Sequence, residues 1–236
     1  MNGPEHLCAW FLRLNGYLTT TNFYAHARHK TLGEIDVTGV RFPYSQELNF
    51  EDDLRVLKVP PGKTDVVLVE SEKGDIDAEN NPWKSRTKEA LEYALRRVGI
   101  VPRERLDEAC KSVCESGNYT RDGYSLRAIC YGRSMSVELE KQGITCVKWT
   151  EMLKFIQNRF HSNDRLKRQH EQWDCFGKYL WKQLNRSSPP DEAKFFCEWE
   201  KIAGTTKRVC DDVITGNGMY RSGWGRAVFS PSWQRV

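Results

Sequence analysis

The segment that most constrains this chain is DVVLVESEK (65–73). Val66 to Val69 make an unbroken apolar run, rich in β-branched residues and preceded by Pro60-Pro61-Gly62. Such a short run reads as a strand buried on both faces, not as one side of an amphipathic element. A strand of that kind needs a covering layer on each side. With 236 residues, 39% of them apolar and 11% aromatic, the chain can supply both layers. No apolar run approaches the ~18–20 residues of a membrane span. The start of the chain has no basic segment followed by an apolar stretch, so membrane and secretory readings are not supported.

Residues 5–15 (EHLCAWFLRLN) place Leu7, Trp10, Phe11 and Leu14 at helical spacing, and Asn15-Gly16 stops that helix. Strands are expected over 18–26 and 33–42, the second ended by Pro43, and an acidic loop over 47–53 leads to the buried strand. Asn80-Asn81-Pro82 makes a turn before a helix over 87–99, with Leu91, Ala94, Leu95 and Val98 inward and Gly99 as its cap. Pro102 opens another helix over 103–115. Two further strands follow over 123–132 and 143–149, and Thr150 is placed to cap a helix over 150–160. A helix around 166–184 carries Trp173, Phe176 and Leu180 inward. Ser187-Ser188-Pro189-Pro190 is the best linker, dividing 1–186 from 187–236, and a short helix over about 191–203 precedes a Gly- and aromatic-rich tail. The element order predicts an α/β fold with an α+β-like mixed sheet, helices on both sides and extra C-terminal helices.

The eight cysteines (8, 110, 114, 130, 146, 175, 197, 210) are scattered, with no Cys-x-x-Cys pair and no zinc-finger spacing. This usage suits a reduced, cytoplasmic compartment. Cys110 and Cys114 share a helix face with Leu106 and Val113, so they read as core.

Charge is uneven. The overall balance is only +4, yet residues 31–80 hold 5 basic and 12 acidic residues. Regular alternation along 65–73 puts Val66, Leu68, Glu70 and Glu72 on one face and Val67, Val69, Ser71 and Lys73 on the other. On 33–42, Glu34 and Asp36 share a face opposite Ile35 and Val37. Carboxylates inside two sheet strands cost several kcal/mol of desolvation unless donors or a cation compensate them. A hard divalent cation does this directly. The plain alternative is that both sets sit at exposed strand ends.

Gly33-Glu34-Ile35-Asp36-Val37, followed after about thirty residues by Val69-Glu70-Ser71-Glu72, resembles the core of the PD-(D/E)XK restriction-endonuclease-like nuclease superfamily. That family also places one helix before the first strand and one directly after the motif strand, where residues 5–15 and 87–99 fall. The wider pattern FLRLNGY…EIDV.GVRFPY…VE…NPW…KFI..RF…QWD is similar to uncharacterised prokaryotic proteins placed in the same superfamily. The resemblance implies that Asp36 and Glu70, with the Ser71 carbonyl, hold Mg²⁺ (or Mn²⁺), and that the protein is a Mg²⁺-dependent deoxyribonuclease. It also implies a Lys two residues after Glu70, and this chain has Glu72 there. Three readings stay open. Glu72 replaces the Lys as base or metal ligand, Lys73 is reached through a bulge, or the site has lost catalysis and the protein binds nucleic acid as a regulatory subunit. Glu34 and Glu5 are supporting candidates. An α+β protein unrelated to nucleases is the further alternative.

Phe155 and Phe160 in KFIQNRFHSNDRLKRQH (154–170) keep the spacing of Leu153 and Ile156 and read as core. Arg159, Arg165, Lys167 and Arg168 are candidates for phosphate contacts, against the alternative of a solvated face. Arg96 and Arg97 are a weaker pair. His161 and His170 read as packing or surface residues. The tail GNGMYRSGWGRAVF lacks the spacing of a phosphate-cradling loop, and no Gly-x-Ser-x-Gly nucleophile elbow occurs. Trp199, Trp224 and Trp233 suit a partner-binding or capping role. The expected partner is DNA, with RNA as the alternative, with no membrane and with a homodimer or a second protein as further candidates.

Overall fold

A computed structural model describes residues 3–27, 30–45, 54–76, 88–162, 174–185 and 190–215. The chain divides into two compact units, Met1–Trp199 and Glu200–Val236. All that follows concerns the first, apart from the last helix, which continues past it.

The first unit opens with helix α1 (Gly3–Leu14), which turns out at Gly16 in a left-handed conformation (φ 81°). Strands β1 (Leu18–Ala27), β2 (Lys30–Arg41) and β3 (Thr64–Ser71) then form an antiparallel meander. A short helix α2 (Leu54–Leu57) lies between β2 and β3. Helices α3 (Lys88–Val98) and α4 (Leu106–Ser116, entered through a 3₁₀ turn) carry the chain across the sheet. Gly99 and Gly117 end them in the left-handed region, as their lack of a Cβ permits. Strand β4 (Asn118–Arg121) turns back at Asp122-Gly123 into β5 (Tyr124–Gly132), which runs parallel to β3. Helix α5 (Val137–Lys141) precedes β6 (Thr145–Lys148), also parallel to β5. Helices α6 (Trp149–Ser162), α7 (Cys175–Leu184) and α8 (Glu192–Thr215) complete the described chain.

The strand order is β1-β2-β3-β5-β4, with β6 beside the second half of β5, a six-stranded mixed sheet. The Val66–Val69 run is wholly buried at its centre. On one face Val66, Leu68, Leu126, Ala128, Cys130 and Cys146 form a core with Leu91, Ala94 and Leu95 of α3 and Leu106, Ala109, Cys110 and Val113 of α4. The opposite face is covered by α1 and α6. There Phe11 meets Tyr131 edge-on at 6.1 Å and Phe155 at 5.1 Å, and Tyr131 stacks on Trp149 at 6.2 Å. Leu12 comes so close at Gly39 that a Cβ there would lie 3.0 Å from Val67, 3.2 Å from Tyr17 and 3.3 Å from Leu12. Burial of apolar surface on both faces, at ~25 cal/mol per Å², is the main stabilising term of such a two-layered cover.

Behind α1, helices α7 and α8 close an aromatic cluster of His6, Phe176, Tyr179, Phe195 and Trp199, with ring centroids 4.7–6.3 Å apart. Trp10 donates to Asp174 at 3.2 Å, and Gly177 leaves room for the Trp10 ring.

Several sequence expectations shift. Strand β3 stops at Ser71, so Glu72 and Lys73 lie beyond it. Thr150 sits within α6 instead of capping it, and Glu151 accepts the Lys148 N–H at 3.2 Å. The C-terminal helix runs for 24 residues, beyond the expected 191–203, and the division into two compact units falls inside it after Trp199. Trp199 is a core residue at 5% exposure, which removes it as a partner-binding surface. The loop at 47–53, the turn at 80–82, Trp173 and the linker residues 187–189 lie outside the described residues, as do Trp224 and Trp233. The seven described cysteines are free thiols, with Cys110 buried in the core. Among the described residues no helix is long and apolar enough to cross a membrane.

Candidate functional site

Pairing between β2 and β3 ends at Val37 opposite Val69, whereas β3 stays paired with β5 through Ser71 opposite Tyr131. The sheet therefore forks at this end of β3. Asp36 bridges the fork with its side chain, Oδ2 accepting from Ser71 N and from Ser71 Oγ, each at 2.8 Å. A carboxylate thus takes the N–H that the next ladder bond would have used.

The geometry of β2 explains how Asp36 comes to point there. Ile35 and Val40 both pack on the α3–α4 core, although five residues of regular strand would put them on opposite faces. The alternation slips by one residue between them. Across the hairpin the slip meets Asn22, which has a positive φ of 54° between the pairs Thr21–Val37 and Phe23–Ile35. Ile35 turns into the α3–α4 core, and the Asp36 carboxylate comes to Ser71. The expected sharing of one face by Ile35 and Val37 is corrected accordingly.

Cys8 of α1 reports on the same neighbourhood. Burial pushes its thiol pKa well up, and the charges of Asp36 and Glu5 push it further. Glu5, on the same helix, is 8% exposed. Glu70 stands opposite Cys130, and alternation from Val66 and Leu68 directs it to the α3–α4 side. Glu70, Glu72 and Glu34 are all half-buried.

Glu72 is held by its main chain, its N–H donating to Tyr131 O at 2.8 Å and its carbonyl accepting from Trp149 Nε1 at 3.2 Å. The β3–β5 register runs without a shift from Thr64–Tyr124 to Ser71–Tyr131, so no bulge re-aims Lys73 within the strand. Lys73 is exposed on the turn beyond the strand end instead. Among the described residues, no three His, Cys, Asp or Glu side chains are gathered to hold a metal ion. Asp36 reaches the end of β3 on the α1 side while Glu70 points to the α3–α4 side, so among the described residues the acids at this end are not gathered into one cage.

The expected basic face is corrected at Arg159. Arg159 is 5% exposed, donates to Leu14 O at 3.3 Å and stacks over Phe155 at 5.0 Å. It ties α6 to the end of α1 and presents no phosphate-binding surface. Arg165, Lys167, Arg168 and His170 lie outside the described residues. Arg96 pairs with Glu92 on α3, and Arg97 lies over the Phe23 ring at 4.5 Å. His161 is exposed.

The opposite end of β3 holds a cluster that the sequence reading missed. Asp65 is fully buried and accepts from Arg127 Nε at 2.9 Å, Arg127 Nη2 at 2.6 Å and Tyr17 Oη at 2.5 Å, while Arg127 also donates to the Leu57 carbonyl. Burial, then the Asp65 charge, pushes the Tyr17 phenol well above its ordinary range. Arg41 donates to Asn15 O at 3.0 Å and Ser45 O at 2.6 Å nearby. The available signal was an Asp and an Arg inside two otherwise apolar strands.

Compared with protein-family models, curated proteins and solved structures, the chain matches none of them.

Proposed function

We propose that this protein hydrolyses phosphodiester bonds in DNA with a divalent metal ion, as a nuclease of the PD-(D/E)XK type. The observation that carries the reading is the Asp36 carboxylate held at Ser71, the residue that follows Glu70 in sequence, where the sheet forks. The order of elements supports it. A helix precedes the meander, α3 follows the motif strand, and β5 returns parallel to β3.

The residues fit Mg²⁺ better than a cation that demands a full protein cage. Mg²⁺ keeps several waters and takes one or two carboxylates plus substrate phosphate. A site with fewer than three gathered acids meets that requirement. Asp36 and Glu70 would hold the ion, with the Ser71 carbonyl and Glu5 in support. Bound there, Mg²⁺ would polarise the scissile phosphate and lower the pKa of an attacking water. Ser71 fixes Asp36 by occupying Oδ2, which leaves Oδ1 as the ligand oxygen. Glu72, its main chain held by Tyr131 and Trp149, is the candidate base.

A second reading has its own support. Glu72 stands where the family supplies a cation, and the acids form no closed cage, as in a nuclease fold that binds nucleic acid without cutting it. Plasmid incubated with the protein and Mg²⁺ or Mn²⁺ separates the two. Cleavage that is lost in Asp36→Asn and Glu70→Gln is the expected result. DNA binding without cleavage under either metal would establish the second reading, and loss of both would sink the two together.

A further inference from the structure

The chain's carboxyl-end geometry carries one step more, resting on the phosphodiester reading above. In an open sheet, ligands bind outside the carboxyl ends of parallel strands. Strands β3, β5 and β6 are the parallel set here, and their ends are aligned, with Ser71 opposite Tyr131 and Tyr131 opposite Val147. A basic residue stands at or within two residues beyond the end of each strand. Lys73 follows β3, Arg133 follows β5, and Lys148 is the last residue of β6.

Arg133 is positioned by its main chain, which donates to Gly74 O at 2.8 Å. Gly132 just before it permits this crossing, since a Cβ there would lie 2.5 Å from Ile76 and 3.0 Å from Gly74 O. Lys148 leads without a loop into α6, a helix of 14 residues, so the positive end of that helix dipole faces the same edge. Arg133 and Lys73 are exposed and Lys148 half-exposed. Strands lie ~4.8 Å apart, so three successive ends make a row roughly 10 Å long beginning beside Asp36. Acids near the row include Glu72, the exposed Asp75 after Lys73, Glu151, which accepts the Lys148 N–H, and Glu192, whose pKa burial raises and Arg133 opposes, with Asp191 beside it.

We propose that Lys73, Arg133 and Lys148 form a phosphate-binding row that holds the backbone of duplex DNA across the carboxyl edge of the sheet, next to Asp36. It replaces the α6 face, whose Arg159 is committed to the core. The contacts would be independent of sequence and sensitive to salt.

The test is binding of a fluorescent 20-base-pair duplex in EDTA, where cleavage cannot contribute, for wild type, R133A/K148A and the control K111A on α4. The double variant should bind about tenfold or more weakly at 0.1 M salt, with a salt slope shallower by roughly two. K111A, which removes an exposed lysine paired with Glu115, should bind like wild type. Thermal melting of R133A/K148A checks that it is folded. Should a folded R133A/K148A bind like wild type, or should K111A weaken binding equally, the row is wrong. Tighter binding of a matching RNA duplex would overturn the DNA assignment. Asp36→Asn, run beside them, should bind duplex but not cut plasmid. Loss of cleavage in Asp36→Asn with unchanged binding in R133A/K148A would leave the nuclease reading standing and the row refuted.

Discussion

Strand β3 carries acid at both ends, and the two ends are handled in opposite ways. At its start, Asp65 is fully buried and every nearby charge is matched, by a two-pronged Arg127 and by the Tyr17 hydroxyl. At its finish, Asp36, Glu70 and Glu72 are each half-buried, and the Asp36 carboxylate accepts from the neutral N–H and hydroxyl of Ser71. A fully paired charge in the interior fixes geometry and has no capacity left for a ligand. A carboxylate such as Asp36, held by the neutral donors of Ser71 and partly open to water, retains capacity for a cation. The difference separates an acid that holds the fold from acids that can do chemistry.

The comparison breaks most sharply at the buried end. Arg127→Ala should destabilise the protein by about 3–5 kcal/mol in urea unfolding, because it strands the Asp65 charge. Replacing both partners with apolar residues, Asp65→Leu with Arg127→Met, should cost less than the single change. If the double variant is no better than Arg127→Ala, the penalty is not one of stranded charge. Tyr17→Phe, which removes one donor to Asp65, should cost about 1–3 kcal/mol.

A smaller effect is expected at His6 on α1, packed against the C-terminal helices. Burial against Phe176 and Trp199 lowers its pKa from 6.5 to about 4, with Asp174 opposing. The folded state therefore takes up this proton less readily than the unfolded chain. The stability it contributes is present above pH 6.5 and is lost as pH falls from 6.5 towards 4. Wild-type Tm should fall across that window by more than the Tm of His6→Phe, and equal slopes would refute the assignment. Smallest of all, Asp36→Asn keeps an acceptor for Ser71 and should change stability by less than about 1 kcal/mol while abolishing plasmid cleavage. A large loss of stability there would make Asp36 another structural acid and erase the contrast.

Much of the scaffold could be read from residue patterns, because the signals were local. The Val66–Val69 run gave the central strand, and the spacing of Leu91, Ala94 and Leu95 gave α3 and its buried face. Strand β4 escaped because it has four residues, although the Asp122-Gly123 turn marks its hairpin. The candidate site was legible as residue types but not as geometry. Strict alternation put Glu70 and Glu72 on one face and Ile35 on the face of Val37. A one-residue slip beside Asn22, and the early end of β3, changed both placements. Neither is visible in a pattern of polar and apolar residues. Arg159 was misjudged because charge alone cannot show that a guanidinium caps the carbonyl end of a helix from inside the core.

The parallel pairing of β3 with β5 also sets a timetable. Local hairpins close quickly, but Thr64 meets Tyr124 only after α3 and α4 have crossed the sheet. On a ribosome adding ~5–20 residues per second, the stretch from the end of β3 to the end of β6 takes roughly 4–15 s to emerge. Until β5 emerges the Val66–Val69 strand has one open edge, and until α3 and α4 emerge one of its apolar faces is uncovered. The nascent chain is therefore most exposed to wrong pairing in the segment that later positions the site.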